Sequence, residues 1–118
     1  MVATTYNKYH NKKIIIDGHK FDSKKEANYY NQLKLLQRAG LIRDLELQKT
    51  FILQPSFKLN NITRRQIVYK ADFTYFSNED NKIHVIDVKG SKNIITEEFK
   101  IKKKLFEYKY GIEIEIII

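Results

Sequence analysis

Asp72, Asp87 and Lys89 are the residues of this chain whose types and spacing point to chemistry. They lie within YKADFTYFSNEDNKIHVIDVKG, a segment otherwise typical of paired strands, where Asp and Lys are uncommon. Two carboxylates and an amine held together can bind Mg²⁺ beside a phosphate, because this ion takes hard oxygen ligands, often one or two carboxylates. The alternative is an exposed strand end with a Lys–Asp ion pair, which would contribute little to stability.

The pairing of the two strands decides whether these acids meet. If Ser77 pairs with Lys82 across the polar loop between them, Asp72 falls directly opposite Asp87. Directly opposed side chains have Cβ atoms about 5 Å apart, and like charges there are destabilising. A raised pKa, a bound cation or full exposure to solvent would relieve this repulsion. The other face of the hairpin is predicted to be its core face, formed by Ala71, Phe73, Ile86 and Val88.

The composition favours an anionic partner. The net charge is +8 at pH 7, and nucleic acid is the leading candidate because neutralising phosphates releases counterions. A lysine-rich surface that is only solvated explains the charge equally well. The absence of cysteine excludes disulfides and thiolate metal sites. Neither a signal peptide nor an apolar run of about 20 residues is visible, so we expect a cytoplasmic protein with no membrane partner.

Start and stop signals predict two helices. The first is expected between a cap at Ser23 and Gly40, and the second between a cap at Thr96 and Gly111. Glu26 follows Ser23 at the spacing of a capping box, so its position has a purely structural explanation.

The predicted strands surround these helices in the order hairpin, helix, strand, strand, strand, helix, strand. Because a crossover helix precedes the last strand, we expect that strand to pair in parallel within a mixed sheet. The length favours one α/β domain over residues 1–118, with a flexible arm at 1–11. The predicted extended segments are a hairpin turning at Asp17-Gly18, residues 41–53, a long hairpin over 62–76 and 82–89, and the closing GIEIEIII.

With these elements in place, Asp72 followed by Asp87-Val88-Lys89 resembles the PD-(D/E)xK nuclease signature. Six further segments, from about residue 7 to the end, are together similar to a small phage-encoded family related to junction-resolving endonucleases. They are NKYHNKK, DGHKFDSKKEANYY, LELQ, YKADF, DVKG and KIKKKLFEYKYG. The resemblance implies a restriction-endonuclease-like αβββαβ core, a mixed sheet flanked by helices, preceded by an N-terminal β-hairpin. Ala71 departs from the pattern, since many relatives have proline there, but this position supplies backbone rather than chemistry.

The resemblance implies a metal-dependent DNA endonuclease that hydrolyses phosphodiester bonds, with Mg²⁺ as cofactor and Mn²⁺ as a substitute. By this resemblance Lys89 orients the attacking water, helps to deprotonate it or stabilises the phosphorane-like charge. Gln48 and Tyr69 line the site. The residues that it places at the metal are Asp72, Asp87, Val88 through its carbonyl, and Glu26.

Basic residues outside the signature are predicted to contact DNA phosphates. They are Arg64, Arg65, Lys70, Lys92, Lys100, Lys103 and Lys104. By resemblance the substrate is branched or recombination-intermediate DNA in a bacterial or phage-infected cell, and paired cuts would need a homodimer.

Two other functions stay open on the same fold. A catalytically silent nucleic-acid-binding module would bind DNA without metal-dependent cleavage. A protein-interaction factor of a phage or mobile element would bind DNA weakly and form a stable complex with another protein.

Overall fold

The computed structural model describes residues 13–118 and shows an α/β fold with a mixed sheet and two helices. The arm predicted at 1–11 lies outside the described residues. The strands are β1 (Ile14–Ile16), β2 (His19–Phe21), β3 (Ile42–Gln54), β4 (Phe57–Leu59), β5 (Ile62–Arg64), β6 (Ile67–Ser77), β7 (Lys82–Val88) and β8 (Ile114–Ile117). The helices are α1 (Lys24–Arg38) and α2 (Glu97–Tyr110), with a short 3₁₀ turn at Lys92–Ile94.

Four strands form the central sheet in the order β3-β6-β7-β8. The β6–β7 hairpin has the predicted register, with Ser77 opposite Lys82 and Phe73 opposite Ile86. The final strand β8 runs parallel to β7, as expected from the crossover through α2. Within residues 13–118, neither helix is long and apolar enough to cross a membrane.

The helix boundaries follow from the capping side chains. Ser23 Oγ accepts a hydrogen bond of 3.1 Å from the Glu26 N–H at the start of α1, and Thr96 Oγ1 accepts one of 3.0 Å from Phe99 at the start of α2. Gly111, with φ of +67°, ends α2 in the left-handed conformation that glycine adopts without a steric penalty. Both predicted N-caps are confirmed.

Each face of the sheet carries one apolar cluster, under one helix. The cluster beneath α1 and the β1–β2 hairpin is built on Phe21, Ala27, Tyr30, Leu33, Ile42, Phe73 and Ile86. The cluster beneath α2 is built on Tyr69, Ala71, Val85, Phe99, Phe106 and Ile114. The two helices therefore cover opposite faces, and the sheet lies between them.

Strands β3 and β6 exchange faces halfway along their length. Leu47 and Phe73 pack in the cluster beneath α1, but Ala71 packs in the cluster beneath α2, although strict alternation would keep it with Phe73. The exchange occurs at Gln48, whose φ of +54° breaks the pleat, and at Asp72 beside it. The prediction that Ala71 shares a face with Phe73 was therefore wrong, although Ala71 is buried.

The chain between β3 and β6 also differs from the prediction. Residues 62–76 do not form one strand, because β5 pairs with β4 in a separate two-stranded sheet and β6 begins only at Ile67. Asn60 and Asn61 both have positive φ, as a tight two-residue hairpin turn requires, and this turn folds the segment back on itself.

Candidate functional site

The sheet opens between β6 and β7 beyond the Phe73–Ile86 pair, where the ladder between these strands ends. Asp72 and Asp87 come next on the two strands. The predicted register, extended by one pair, placed them directly opposite each other, and this was wrong. They lie instead on the two sides of the opening. At this opening a side chain replaces the ladder, since the Val88 N–H donates to the Asp72 carboxylate and not to the backbone of β6.

Asp87 is buried on the α2 side of this opening, 5% exposed. Its Oδ2 accepts a hydrogen bond of 2.7 Å from the buried Tyr69 hydroxyl, and its Oδ1 lies 3.1 Å from Lys89 Nζ. The ammonium of Lys89 also lies 3.8 Å from the ring centre of Phe99, a favourable cation–π distance. Asp87 and Phe99 together hold the lysine at the mouth of the opening.

Asp72 bridges the two strands through its carboxylate. Its Oδ2 accepts a hydrogen bond of 2.8 Å from the Val88 N–H, and its Oδ1 accepts one of 3.3 Å from Gln48 Nε2. Burial and the neighbouring Asp87 raise the pKa of Asp72 to about 6, although these hydrogen bonds and Lys89 lower it. The metal role predicted for the Val88 carbonyl stays a prediction.

Glu26 enters the site from the first turn of α1. Its N–H is capped by Ser23, whereas its carboxylate oxygen Oε2 lies 3.4 Å from Gln48 Nε2, the same nitrogen that contacts Asp72. Burial raises the pKa of Glu26 to about 7, and the carboxylates of Asp72, Asp22 and Asp87 add to this effect. The backbone of Glu26 thus serves the helix cap and its side chain faces the acids.

Gln48 is the residue that joins these carboxylates, and its backbone is strained. A non-glycine residue at φ of +54° inside a strand is uncommon and costs on the order of 1 kcal/mol or more. The conformation directs the amide towards Glu26 and Asp72. Strain of this kind concentrates at functional sites. Gln48 was predicted only from the family resemblance.

The group carries more negative than positive charge. Glu26, Asp72 and Asp87 are buried or half-buried, and Lys89, which pairs with Asp87, is the cation beside them. Burial is the largest cause of the raised pKa values of Glu26 and Asp72, and repulsion between the neighbouring carboxylates adds to it. A cation from outside the chain would relieve this repulsion.

The oxygen-only donor set suits Mg²⁺, which is commonly held by one or two carboxylates together with water and phosphate. Across residues 13–118, no three His, Cys, Asp or Glu side chains are arranged as a metal-binding group. Asp72 and Asp87, on the two sides of the opening, are the carboxylates that such an ion could share with water and phosphate.

Basic residues border the cleft beside Asp87, which has a volume of about 240 Å³. Lys70 and Lys89 line it, as expected for phosphate contacts, and so does Lys102, which sequence analysis did not select. The missed signal was the spacing of Lys102, three residues after Phe99 and four before Phe106, which puts it at the border of the buried face of α2.

The other predicted phosphate contacts lie outside this cleft. Lys103 donates 2.7 Å to Glu107, whose same oxygen accepts from the Ile114 N–H, so it supports the α2–β8 connection. Lys100 is paired with Glu97 on the exposed face of α2. The remaining members of the predicted set are exposed: Arg64, Arg65, Lys92 and Lys104.

Comparison with known proteins identifies the family but not its activity. Residues 6–117 match the family described as a protein of unknown function (DUF1064), and since the match spans nearly the whole chain, the protein belongs to that family. No curated protein and no solved structure matches the chain.

Proposed function

We propose that this protein is a metal-dependent DNA endonuclease that hydrolyses phosphodiester bonds. The observation that carries the proposal is the convergence of Glu26, Asp72 and Asp87 with Lys89 at an opening in the sheet. Branched DNA or recombination intermediates are the proposed substrates, and a phage or mobile element is the proposed origin.

The order of elements supports a restriction-endonuclease-like core. Helix α1 is followed by β3, β6 and β7, then by α2 and β8, which is the predicted αβββαβ order. The β4–β5 hairpin is an insertion between the first and second of these strands, and the β1–β2 hairpin precedes the core.

Asp72, Asp87 and Glu26 are the proposed metal ligands, together with the Val88 carbonyl. When bound, Mg²⁺ or Mn²⁺ would polarise the phosphoryl oxygen and lower the pKa of water, which supplies a nucleophile at neutral pH. Tyr69 orients Asp87, because burial and that carboxylate raise the pKa of the Tyr69 hydroxyl and keep it a donor. Such supporting hydrogen bonds fix the direction of ligand oxygens.

Lys89 is the proposed contact to the reacting phosphate. Its ammonium is held by Asp87 and Phe99 at the cleft, so it reaches the site without first losing side-chain entropy. A positive charge positioned where negative charge develops stabilises the transition state. It can also orient the attacking water by hydrogen bonding.

Lys70 and Lys102 are the proposed neighbours of the flanking phosphates, since both border the cleft. The exposed cations beyond the cleft extend this surface, and they include Arg64, Arg65, Lys92, Lys100 and Lys104. Lys103 is the least favoured of the predicted phosphate contacts, because its half-buried partner Glu107 also accepts from the Ile114 N–H and holds it at the α2–β8 connection.

The experiment is a cleavage assay on labelled duplex, single-stranded, flap and four-way-junction DNA, with Mg²⁺, Mn²⁺ or EDTA. Wild-type protein should cut in either metal and not in EDTA, and Asp87→Asn prepared in parallel should not cut. Equal cutting by Asp87→Asn would indicate a contaminating nuclease. Failure of the wild type to cut any substrate would contradict the proposal.

One observation favours the catalytically silent module as the second candidate. Both oxygens of Asp87 are already engaged, by Tyr69 and by Lys89, and a metal would have to share or displace these partners. In the same experiment this candidate predicts structure-selective DNA binding with no cleavage in any metal.

A further inference from the structure

The hairpin formed by β4 and β5, residues 57–64, is the most exposed ordered part of the described chain. All six strand residues are exposed, and the two strands pair only with each other within residues 13–118. A lone two-stranded hairpin is marginally stable in water. A partner surface that covers this arm would account for its order.

One face of the arm is apolar. The register pairs Phe57 with Arg64 and Leu59 with Ile62, so these four side chains share a face, and Lys58 lies on the other. Phe57, Leu59 and Ile62 are 46%, 53% and 55% exposed. Three large apolar side chains clustered in this way indicate a protein-binding surface.

An apolar groove lies beside the base of the same arm. It has a volume of about 640 Å³ between the start of β6 and the outer face of α2, and Ile67, Val68, Ile101 and Leu105 line it. Ile101 and Leu105, one turn apart on α2, are 59% and 43% exposed. Within residues 13–118, neither the core nor a neighbouring helix fills this groove or covers the apolar face of the arm.

We infer that this protein forms a symmetric dimer in which the β4–β5 arm of each copy lies in the α2–β6 groove of the other. Twofold symmetry repeats the arm-to-groove contact, so that it forms twice in each dimer. Dimers with this symmetry are the commonest homo-oligomers. With about 100 Å² exposed on each large apolar side chain of arm and groove, reciprocal burial reaches roughly 1,200 Å², the lower end of stable interfaces.

Position agrees with this pairing. The groove rim carries Glu98 and Lys102, which form an ion pair at 3.3 Å, so Arg64 at the base of the apolar face would share Glu98 with Lys102. Glu98 and Lys102 line both the groove and the cleft beside Asp87, so an arm seated in the groove ends next to the acidic site of the other copy. The dimer thus brings arm cations of one copy to the cleft of its partner.

The inference stands apart from the proposed nuclease activity, and its test uses neither metal nor DNA. Sedimentation analysis of the full chain should give twice the 14.1 kDa chain mass at micromolar concentration. The double variant Phe57→Ser, Leu59→Ser should raise the dimer dissociation constant at least about tenfold. Ile83→Ser, equally exposed on β7, should leave the mass unchanged.

Crosslinking then tests which surfaces meet. The chain has no cysteine, so Leu59→Cys and Ile101→Cys each carry one thiol. Mixed together with a short bismaleimide, the two separately purified variants should form a crosslinked heterodimer, and Ile83→Cys mixed with Leu59→Cys should not.

Three results would overturn the inference. The first is a monomer at about 100 micromolar wild-type protein, well above the range of specific assemblies. The second is a dimer that persists unchanged in the arm variant or lacks the arm-to-groove crosslink. The third is a monomer whose arm variant loses duplex DNA affinity, which would assign the arm to nucleic acid instead.

Discussion

Two groups of acidic side chains lie at opposite ends of the β6–β7 strand pair. Near the turn, His84 lies between two carboxylates, with Nε2 2.8 Å from Asp80 Oδ2 and Nδ1 2.6 Å from Glu115 Oε2. Its ring also stacks on Tyr75 at a centroid distance of 5.1 Å. At the far end, the opening in the sheet holds the acidic site with Lys89.

The pKa values of the carboxylates in the two groups shift in opposite directions. At the turn, burial opposes the imidazolium, but hydrogen bonds with Glu115 and Asp80 outweigh it and raise the pKa of His84. Desolvation raises the pKa of Asp80, and the hydrogen bond from His84 reverses this and lowers it. At the opening, the acids behave in the opposite way to Asp80, because the pKa values of Glu26 and Asp72 are raised.

The difference lies in burial and in the supply of cations. The acids near the turn are exposed and share a side chain that can become positive, so the chain satisfies them itself. The acids at the opening are more buried and outnumber their cation, so their negative charge is not balanced within the described residues. Only the second group has the electrostatic character expected of a functional site.

The largest expected effect separates the two groups by activity. Asp72→Asn should reduce metal-dependent cleavage by more than the about 10- to 100-fold typical of residues that only orient ligands. Asp80→Asn, the matched change near the turn, should leave the rate unchanged. Initial rates on the preferred DNA substrate measure both. A comparable loss in both variants would show that the two groups do not differ in function.

The next effect concerns stability. Because the folded pKa of Glu26 is raised to about 7, its ionisation destabilises the folded state, and this penalty grows from about pH 4.5 to pH 7. Glu26→Gln should therefore be more stable than wild type at pH 8, by roughly 1 to 3 kcal/mol, with the gain vanishing below pH 4.5.

Urea unfolding in EDTA between pH 4 and pH 8 measures this gain. Glu97→Gln is the control, since the hydrogen bond from Lys100 lowers the pKa of Glu97 and removing that charge should give no gain at pH 8. A Glu26→Gln advantage that is the same at every pH would contradict the electrostatic explanation.

A smaller effect distinguishes two neighbouring lysines of α2. Lys102→Gln should weaken DNA binding several-fold and lower the slope of log affinity against log salt by about 1, as expected for one phosphate contact. Lys103→Gln should leave the slope unchanged and reduce stability, because Glu107 loses its partner. Fluorescence anisotropy across salt concentrations checks both, and equal slopes for the two variants would remove Lys102 from the site.

The smallest effect lies near the turn. Because the folded pKa of His84 is raised, its contribution to stability is fully present below the unfolded pKa of about 6.5 and is lost as the pH rises through the folded pKa. His84→Gln should therefore destabilise the protein by less than about 1 kcal/mol at pH 5.5 and leave it unchanged at pH 9. Thermal unfolding of both proteins at the two pH values measures this difference in stability. A larger loss of stability at pH 9 than at pH 5.5 would contradict the raised pKa of His84.

The local elements were determined by the sequence because their signals act over a few residues. Ser23 and Thr96 cap the helices, Gly111 ends the second, and the turn between Ser77 and Lys82 sets the hairpin register. Period-two alternation then predicts most core positions of the strands. These features need no knowledge of distant contacts.

Only the tertiary structure decided how the acidic site is assembled. Nothing in the local pattern predicts that Gln48 adopts a positive φ, that β3 and β6 change faces there, or that the ladder ends before Asp72. Those outcomes depend on how the two helices pack against opposite faces of one sheet. Likewise Lys102 and Lys103 each pair with a glutamate of the same helix, and only packing shows that Lys102 borders the cleft while Lys103 supports the α2–β8 connection through Glu107. Side-chain direction across long sequence separations is set by the whole core, which single-residue propensity does not encode.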